Sequence, residues 1–160
     1  MSYVRFRIAL GIVGVLAAVG LVALLHPQHA IADEGSVRGG SFLTTVTDSN
    51  GNFASRGVIT LHADHTMSAI DSGQGGPTFF FSSQLGSWKP DGNGGAVGKT
   101  IDFDFPPNQD VARLDYTLKF GSGGTVTGTI TLTSFPLTGN PLDGGGTVAG
   151  TFTFVGQLIK

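Results

Sequence analysis

The second half of the chain alternates between apolar and polar positions with a period of two. Ile101, Phe103 and Phe105 share one face of a segment whose other face carries Asp102 and Asp104. Leu114, Tyr116, Leu118 and Phe120 oppose Asp115, Thr117 and Lys119. Val126, Gly128, Ile130 and Leu132 oppose a run of threonines from Thr125 to Thr133, and Val148, Gly150, Phe152 and Phe154 oppose Thr147, Thr151 and Thr153. A period of two marks a strand with one buried and one wet face. On this reading Ile101, Phe103 and Phe105 point inward, and Asp102 and Asp104 are outer-face charges. From Phe42 to Phe81 the alternation is less regular.

Eight segments read as strands: 40–47, 54–63, 66–71, 78–89, 95–105, 111–120, 124–135 and 146–158. Between them lie turn-forming stretches such as Ser49-Asn50-Gly51-Asn52 and Pro90-Asp91-Gly92-Asn93-Gly94, which tolerate positive φ or break a ladder. No connection has room for a crossover helix, so consecutive strands should pair as antiparallel neighbours. Closing strand eight on strand one hides both free edges. The expected fold is therefore all-β, an eight-stranded antiparallel up-and-down barrel, with a two-sheet sandwich as the competing architecture. Eight strands enclose an interior that side chains just fill or that holds one small ligand. The run Gly124 to Leu132 recurs as Gly146 to Phe154, placing Gly128 and Gly150 at matching points of two apolar faces, where a small barrel bends sharply.

The N-terminus changes the picture of where this barrel works. Arg5 and Arg7 precede an apolar run from Ile8 to Leu25, followed by Pro27 and the small-residue site Ala30-Ile31-Ala32. This order describes a secretory signal peptide over residues 1–32, with the mature domain over 33–160 in the periplasm or outside the cell. An uncleaved anchor is the alternative, since the apolar run approaches the length of a bilayer span. Removing Arg5 and Arg7 takes the nine basic residues to seven, against eleven acidic ones. No basic run exists to neutralise phosphates, so neither nucleic acid nor, after cleavage, a membrane is an expected partner. The chain has no cysteine, so the domain relies on its core alone. Glu34 is the only glutamate and lysine is scarce, while glycine and threonine abound, which removes the good helix formers.

Candidate chemistry is sparse. His62, Asp64 and His65 could begin a metal site, but they straddle a turn and lack a third strong ligand, so no metal is expected. Asp48 to Asn52 imitates the start of a calcium loop, yet Ile59 stands where the bidentate carboxylate belongs, and Asn50-Gly51 is a strong hairpin signal. Asp102 and Asp104 would be a carboxylate pair only if their face turned inward. The glycine runs Gly121 to Gly124 and Gly144 to Gly146 precede strands rather than helices, so they offer no phosphate cradle. No catalytic motif and no cofactor is expected. Trp88, the sole tryptophan, reads as a plug for one end of the barrel or as a pocket-mouth residue.

The succession of eight strands, the Gly86-Ser87-Trp88-Lys89 segment and the late glycine–threonine strands resemble the calycin-like barrels, which include lipocalins, fatty-acid-binding proteins and avidin-like proteins. Closer still is the similarity to small secreted bacterial barrels of unassigned function that carry a Gly-x-Trp-Lys strand and end in Thr-Gly-Thr-type strands. The resemblance spans most of residues 40–158 and implies the barrel architecture. Three functions follow. The first is a secreted binding protein whose lumen, lined by Trp88, Phe103, Phe105, Tyr116, Leu118, Phe120, Ile130, Phe152 and Phe154, takes a small apolar ligand. The second is a barrel enzyme of the allene oxide cyclase or dirigent type, by fold analogy. The third is an outer-membrane barrel with its apolar face toward lipid and its threonine and aspartate face lining the lumen. Oligomeric state is left open by the sequence.

Overall fold

The computed structural model describes residues 39–75 and 80–160. The signal-peptide reading of residues 1–32 falls outside the described residues. The domain is a closed barrel of eight antiparallel strands in sequential order. They are β1 (Gly40–Thr47), β2 (Phe53–Leu61), β3 (Thr66–Asp71), β4 (Gln84–Pro90), β5 (Gly95–Phe103), β6 (Asp110–Phe120), β7 (Thr125–Pro136) and β8 (Thr147–Leu158). Closure runs through β1 and β8, from Phe42 opposite Leu158 to Thr47 opposite Thr153. Every strand thus has two partners, and no edge stays open.

Three hairpins are built the same way, by an aspartate that accepts amides of its own turn. Asp48 Oδ1 accepts the Asn50 and Asn52 amides, each at 2.9 Å. Asp64 Oδ1 accepts the Thr66 amide and hydroxyl, and Asp91 Oδ1 accepts the Asn93 and Gly95 amides. The calcium-like run at Asp48 is therefore a turn whose carboxylate is already engaged. The Asn52 amide, above all, holds Asp48 below the usual carboxylate range, and the Thr66 hydroxyl does the same for Asp64.

β4 is shorter than the expected strand 78–89, of which Thr78 and Phe79 lie outside the described residues. Approaching β4, Phe81 makes only an isolated bridge with Asp104. There the Ser82 hydroxyl, not a backbone carbonyl, accepts the Phe103 amide at 3.0 Å, so a side chain replaces a ladder rung.

The faces of β6, of β7 up to Leu132 and of β8 from Gly150 follow their alternation. Beyond the register shift between Leu132 and Thr133 the faces exchange, so Val148, expected inside, is 63% exposed while Thr133 is buried. Elsewhere Leu114, Tyr116, Leu118, Val126, Ile130 and Phe154 are buried inside, while threonines stand outside and pair across strands. Thr117 and Thr129 hydroxyls lie 2.7 Å apart, as do those of Thr47 and Thr153. This arrangement is opposite to the one an outer-membrane barrel requires, in which the threonines would line the lumen. Near the β7–β8 connection the outer wall is also covered. Arg113 sits over the Phe135 ring at 5.2 Å, pairs with Asp115 at 2.8 Å and donates to the carbonyls of Pro141 and Asp143.

The two ends of the barrel differ. One end is closed by Phe42, Leu61, Met67, Trp88, Leu118 and Val126, all buried. The Trp88 indole donates to the His62 carbonyl at 2.9 Å and packs against the His65 ring at 5.0 Å. Trp88 is thus the plug at this end. Beside it Gly98 makes room for Met67, since a β-carbon there would stand 2.5 Å from Met67 Sδ, and Gly86 lets β4 approach β5, since a β-carbon there would strike the Lys99 carbonyl.

Candidate functional site

The other end is open. Here β2, β4, β6 and β8 begin and β1, β3, β5 and β7 finish, so their terminal inward residues meet around one mouth. Inside lies a cavity of about 490 Å3. Its walls are Val46, Ile59, Ala69, Leu114, Ile130, Leu132 and Phe152, and Asp71, Asp102, Asp104 and Asp110 bring carboxyls into the same space.

The face of β5 is a correction to the sequence reading. Ile101, Phe103 and Phe105 were expected inside, with Asp102 and Asp104 in solvent. In the structure Phe103 and Phe105 are each 51% exposed, whereas Asp102 is 3% exposed. Register explains the inversion. β5 pairs with β6 so that Thr100 stands opposite Leu114 and Asp102 opposite Ala112. Residues directly opposite share a face, and the Leu114 face is inside. The inward residues of β5 are consequently Ala96, Gly98, Thr100 and Asp102, small enough to leave space for the large side chains of the neighbouring strands. Phe103 and Phe105 belong to the outer wall, where the Phe105 amide donates to the Phe80 carbonyl at 2.7 Å.

Of the residues expected to line a lumen, Tyr116, Ile130 and Phe152 face the cavity. Trp88 and Leu118 belong to the closed-end plug, with Phe120 packed beside it 5.9 Å from Phe42. Phe154 is buried against Tyr116, ring centres 6.5 Å apart. His62 and His65 lie at the closed end, far in the fold from the carboxyls, and His65 is spent on Trp88. Among the described residues no group of three histidine, cysteine or acidic side chains is placed to hold a metal ion.

The polar groups of the lumen are mostly paired, with two exceptions. Gln84 Oε1 accepts the Tyr116 hydroxyl at 2.5 Å and the Thr100 hydroxyl at 3.2 Å. Thr44 donates to the Gly57 carbonyl at 3.1 Å. Asp71 accepts the Ser55 hydroxyl at 2.6 Å and the Gly73 amide at 2.7 Å. Asp110 accepts the Ser134 hydroxyl through Oδ2. Asp102 Oδ1 and Asp110 Oδ1 are buried without a partner. Burial, and then the charges of Asp104 and Asp110, push the Asp102 carboxyl up to about 7. Burial raises Asp104 to about 7 as well, helped by the neighbouring Asp110 carboxyl. Burial likewise raises the Tyr116 phenol, which stays a hydrogen-bond donor.

Nothing in the sequence pattern singles out Asp71, Gln84 and Asp110. The available signal was weak: each stands at the first or last position of a strand, where polar residues usually meet solvent. Only barrel closure turns those ends toward one another. No protein-family model matches the chain, and neither a curated protein nor a solved structure matches it.

Proposed function

We propose that the barrel binds one small, mainly apolar molecule in its lumen, admitted through the open end. The observation that carries this reading is the cavity of about 490 Å3, closed at one end by the Trp88 plug and walled mostly by aliphatic and aromatic side chains. Its volume falls within the range of roughly 300–1,000 Å3 typical of small-molecule sites, which also share its few convergent polar groups. The resemblance to calycin-like barrels supports the same reading. With residues 1–32 taken as a signal peptide, binding takes place in the periplasm or outside the cell.

The test is titration with the neutral probe N-phenylnaphthylamine, followed by fluorescence. Saturable one-to-one binding is expected. Leu132→Trp, from the cavity wall, and Ala149→Trp, from the mouth, should each weaken it about tenfold or more while the β-type circular dichroism persists. No saturable binding by the wild type, or binding indifferent to both variants, would overturn the reading.

A second reading, a barrel enzyme that steers an apolar substrate, draws on Asp102. A buried carboxyl raised to about 7 is suited to move a proton near neutral pH. Its sign would be turnover abolished by Asp102→Asn with substrate binding retained.

A further inference from the structure

We propose that the lumen's ligand is cationic, an alkylammonium or similar amphiphile, whose positive nitrogen is received by Asp102 with Asp104 and Asp110 beside it. This inference rests on the lumen-binding reading above and names the class of ligand.

The argument starts from which polar groups of the lumen are satisfied. Tyr116, Thr100, Thr44 and Asp71 each have a partner inside the barrel. Asp102 does not: it is 3% exposed, lines the cavity, and its Oδ1 has no hydrogen-bond partner. Burying an acceptor without a donor is costly, and burying an unpaired carboxylate more so. The protein itself thus offers Asp102 Oδ1 no donor, and a ligand that carries one would satisfy it.

Charge decides what kind of donor. The titratable groups sharing the cavity with Asp102 are Asp71 from β3, Asp104 after β5, and Asp110 and Tyr116 from β6. Among the described residues no lysine, arginine or histidine lines it. The nearest basic side chains on β5 and β6 are Lys99 and Arg113, and both are engaged with Asp115 on the outer wall. Four carboxyls thus converge with no internal counter-charge. An ammonium supplies several N–H donors and the missing positive charge together. A carboxylate or phosphate ligand would instead meet like charge in a partly desolvated site. The apolar walls below the carboxyls accept the hydrocarbon part of the same molecule.

pH separates this class from a neutral one. Asp102 and Asp104 hold their protons up to about 7, and an arriving cation favours the ionised form. Affinity for an alkylammonium should rise as pH increases through that region, while the amine itself stays protonated to about 10. A neutral ligand accepting a hydrogen bond from protonated Asp102 would show the opposite slope.

The experiment compares decylamine, decanol and decanoate, each measured directly by calorimetry on the wild-type domain at about pH 5 and about pH 8. The amine should bind about tenfold or more tightly than the alcohol at the higher pH, with the gap narrowing at the lower pH and decanoate weakest. Asp102→Asn should bring the amine-to-alcohol ratio close to one, and Asp104→Asn should lower it. Alcohol binding equal to or tighter than amine binding at about pH 8 in the wild type overturns this inference and leaves the lumen-binding reading standing. Binding of none of the three overturns both. If Asp102→Asn does not fold, the wild-type ratio and the Asp104→Asn variant still decide, and a ratio unmoved by Asp104→Asn and by pH counts against the proposal.

Discussion

The ring of Phe154 fills the space in which a β-carbon on Gly128 would stand, 2.6 Å away. The two residues face each other across β7 and β8, and the same β-carbon would also strike the Thr117 carbonyl of β6. Glycine is required at this point because three strands close in on it, not because of a special backbone angle. It lets an aromatic ring lie flat against the neighbouring strand and keeps the interior dense below the cavity.

Gly128→Ala should consequently destabilise the domain by about 1–3 kcal/mol through overpacking. Phe154→Leu in that background should recover only part of the loss, since it relieves the ring but not the carbonyl. Equilibrium denaturation followed by far-ultraviolet circular dichroism measures both. Full recovery by Phe154→Leu would show that the ring alone sets the requirement.

The Asp102 carboxyl makes stability depend on pH with a definite sign. Its folded value, about 7, lies above the unfolded value near 4, so the fold favours the protonated form. Stability should therefore fall as pH rises from about 4 to about 7 and level off above that. For Asp102 alone the loss is on the order of 2–4 kcal/mol, with a smaller share from the more exposed Asp104. Asp102→Asn should remove most of this slope, read as melting temperature against pH. Asp48 and Asp64 act in a separate window. Their values are lowered, so their contributions fade only as pH drops below the usual carboxylate range.

Trp88 should dominate the stability of the closed end. It is 5% exposed and packs against His65, while its indole donates to the His62 carbonyl. Trp88→Ala should cost about 3–5 kcal/mol by leaving a cavity. Trp88→Phe keeps most of the packing and gives up the hydrogen bond, for a loss of roughly 1–2 kcal/mol. As the only tryptophan, Trp88 also reports on its own site: native emission should be blue-shifted and shielded from acrylamide, and both properties should vanish on unfolding. Native emission that acrylamide quenches freely would contradict a buried plug.

Much of the barrel could be read from the chain because its signals are local. Period-two alternation over β6, β7 and β8 identifies the strands and, except around Val148 and Thr133, their buried face, since one face is apolar and the other mostly threonine or charged. Turn residues such as Asp48, Asn50 and Gly51 mark hairpins by chemistry acting within five positions. Short connections then leave sequential antiparallel pairing as the simplest topology, and eight such strands close on themselves. For Trp88 the sequence left a plug and a pocket-mouth residue as alternatives, and the structure seats it in the closed end.

The candidate site depended on relations that no single segment contains. Along β5, large apolar residues at Ile101 and Phe103 compete with small and polar ones at Thr100 and Asp102 for the inside, and alternation alone cannot rank the two faces. The choice is made by register with β6, which places Asp102 opposite Ala112, and by volume, since the large side chains of neighbouring strands leave room for Gly98 and Thr100 but not for phenylalanine rings. By itself the sequence determined an all-β chain of eight paired strands with a mainly apolar interior, because propensity, alternation and turn chemistry act over a few residues. Only the tertiary structure decided that Phe103 and Phe105 lie outside, that Asp71, Asp102, Asp104 and Asp110 meet in one mainly apolar cavity, and that the barrel is plugged at one end and open at the other. Those outcomes follow from strand register and from the filling of a closed volume, which are properties of the assembled barrel.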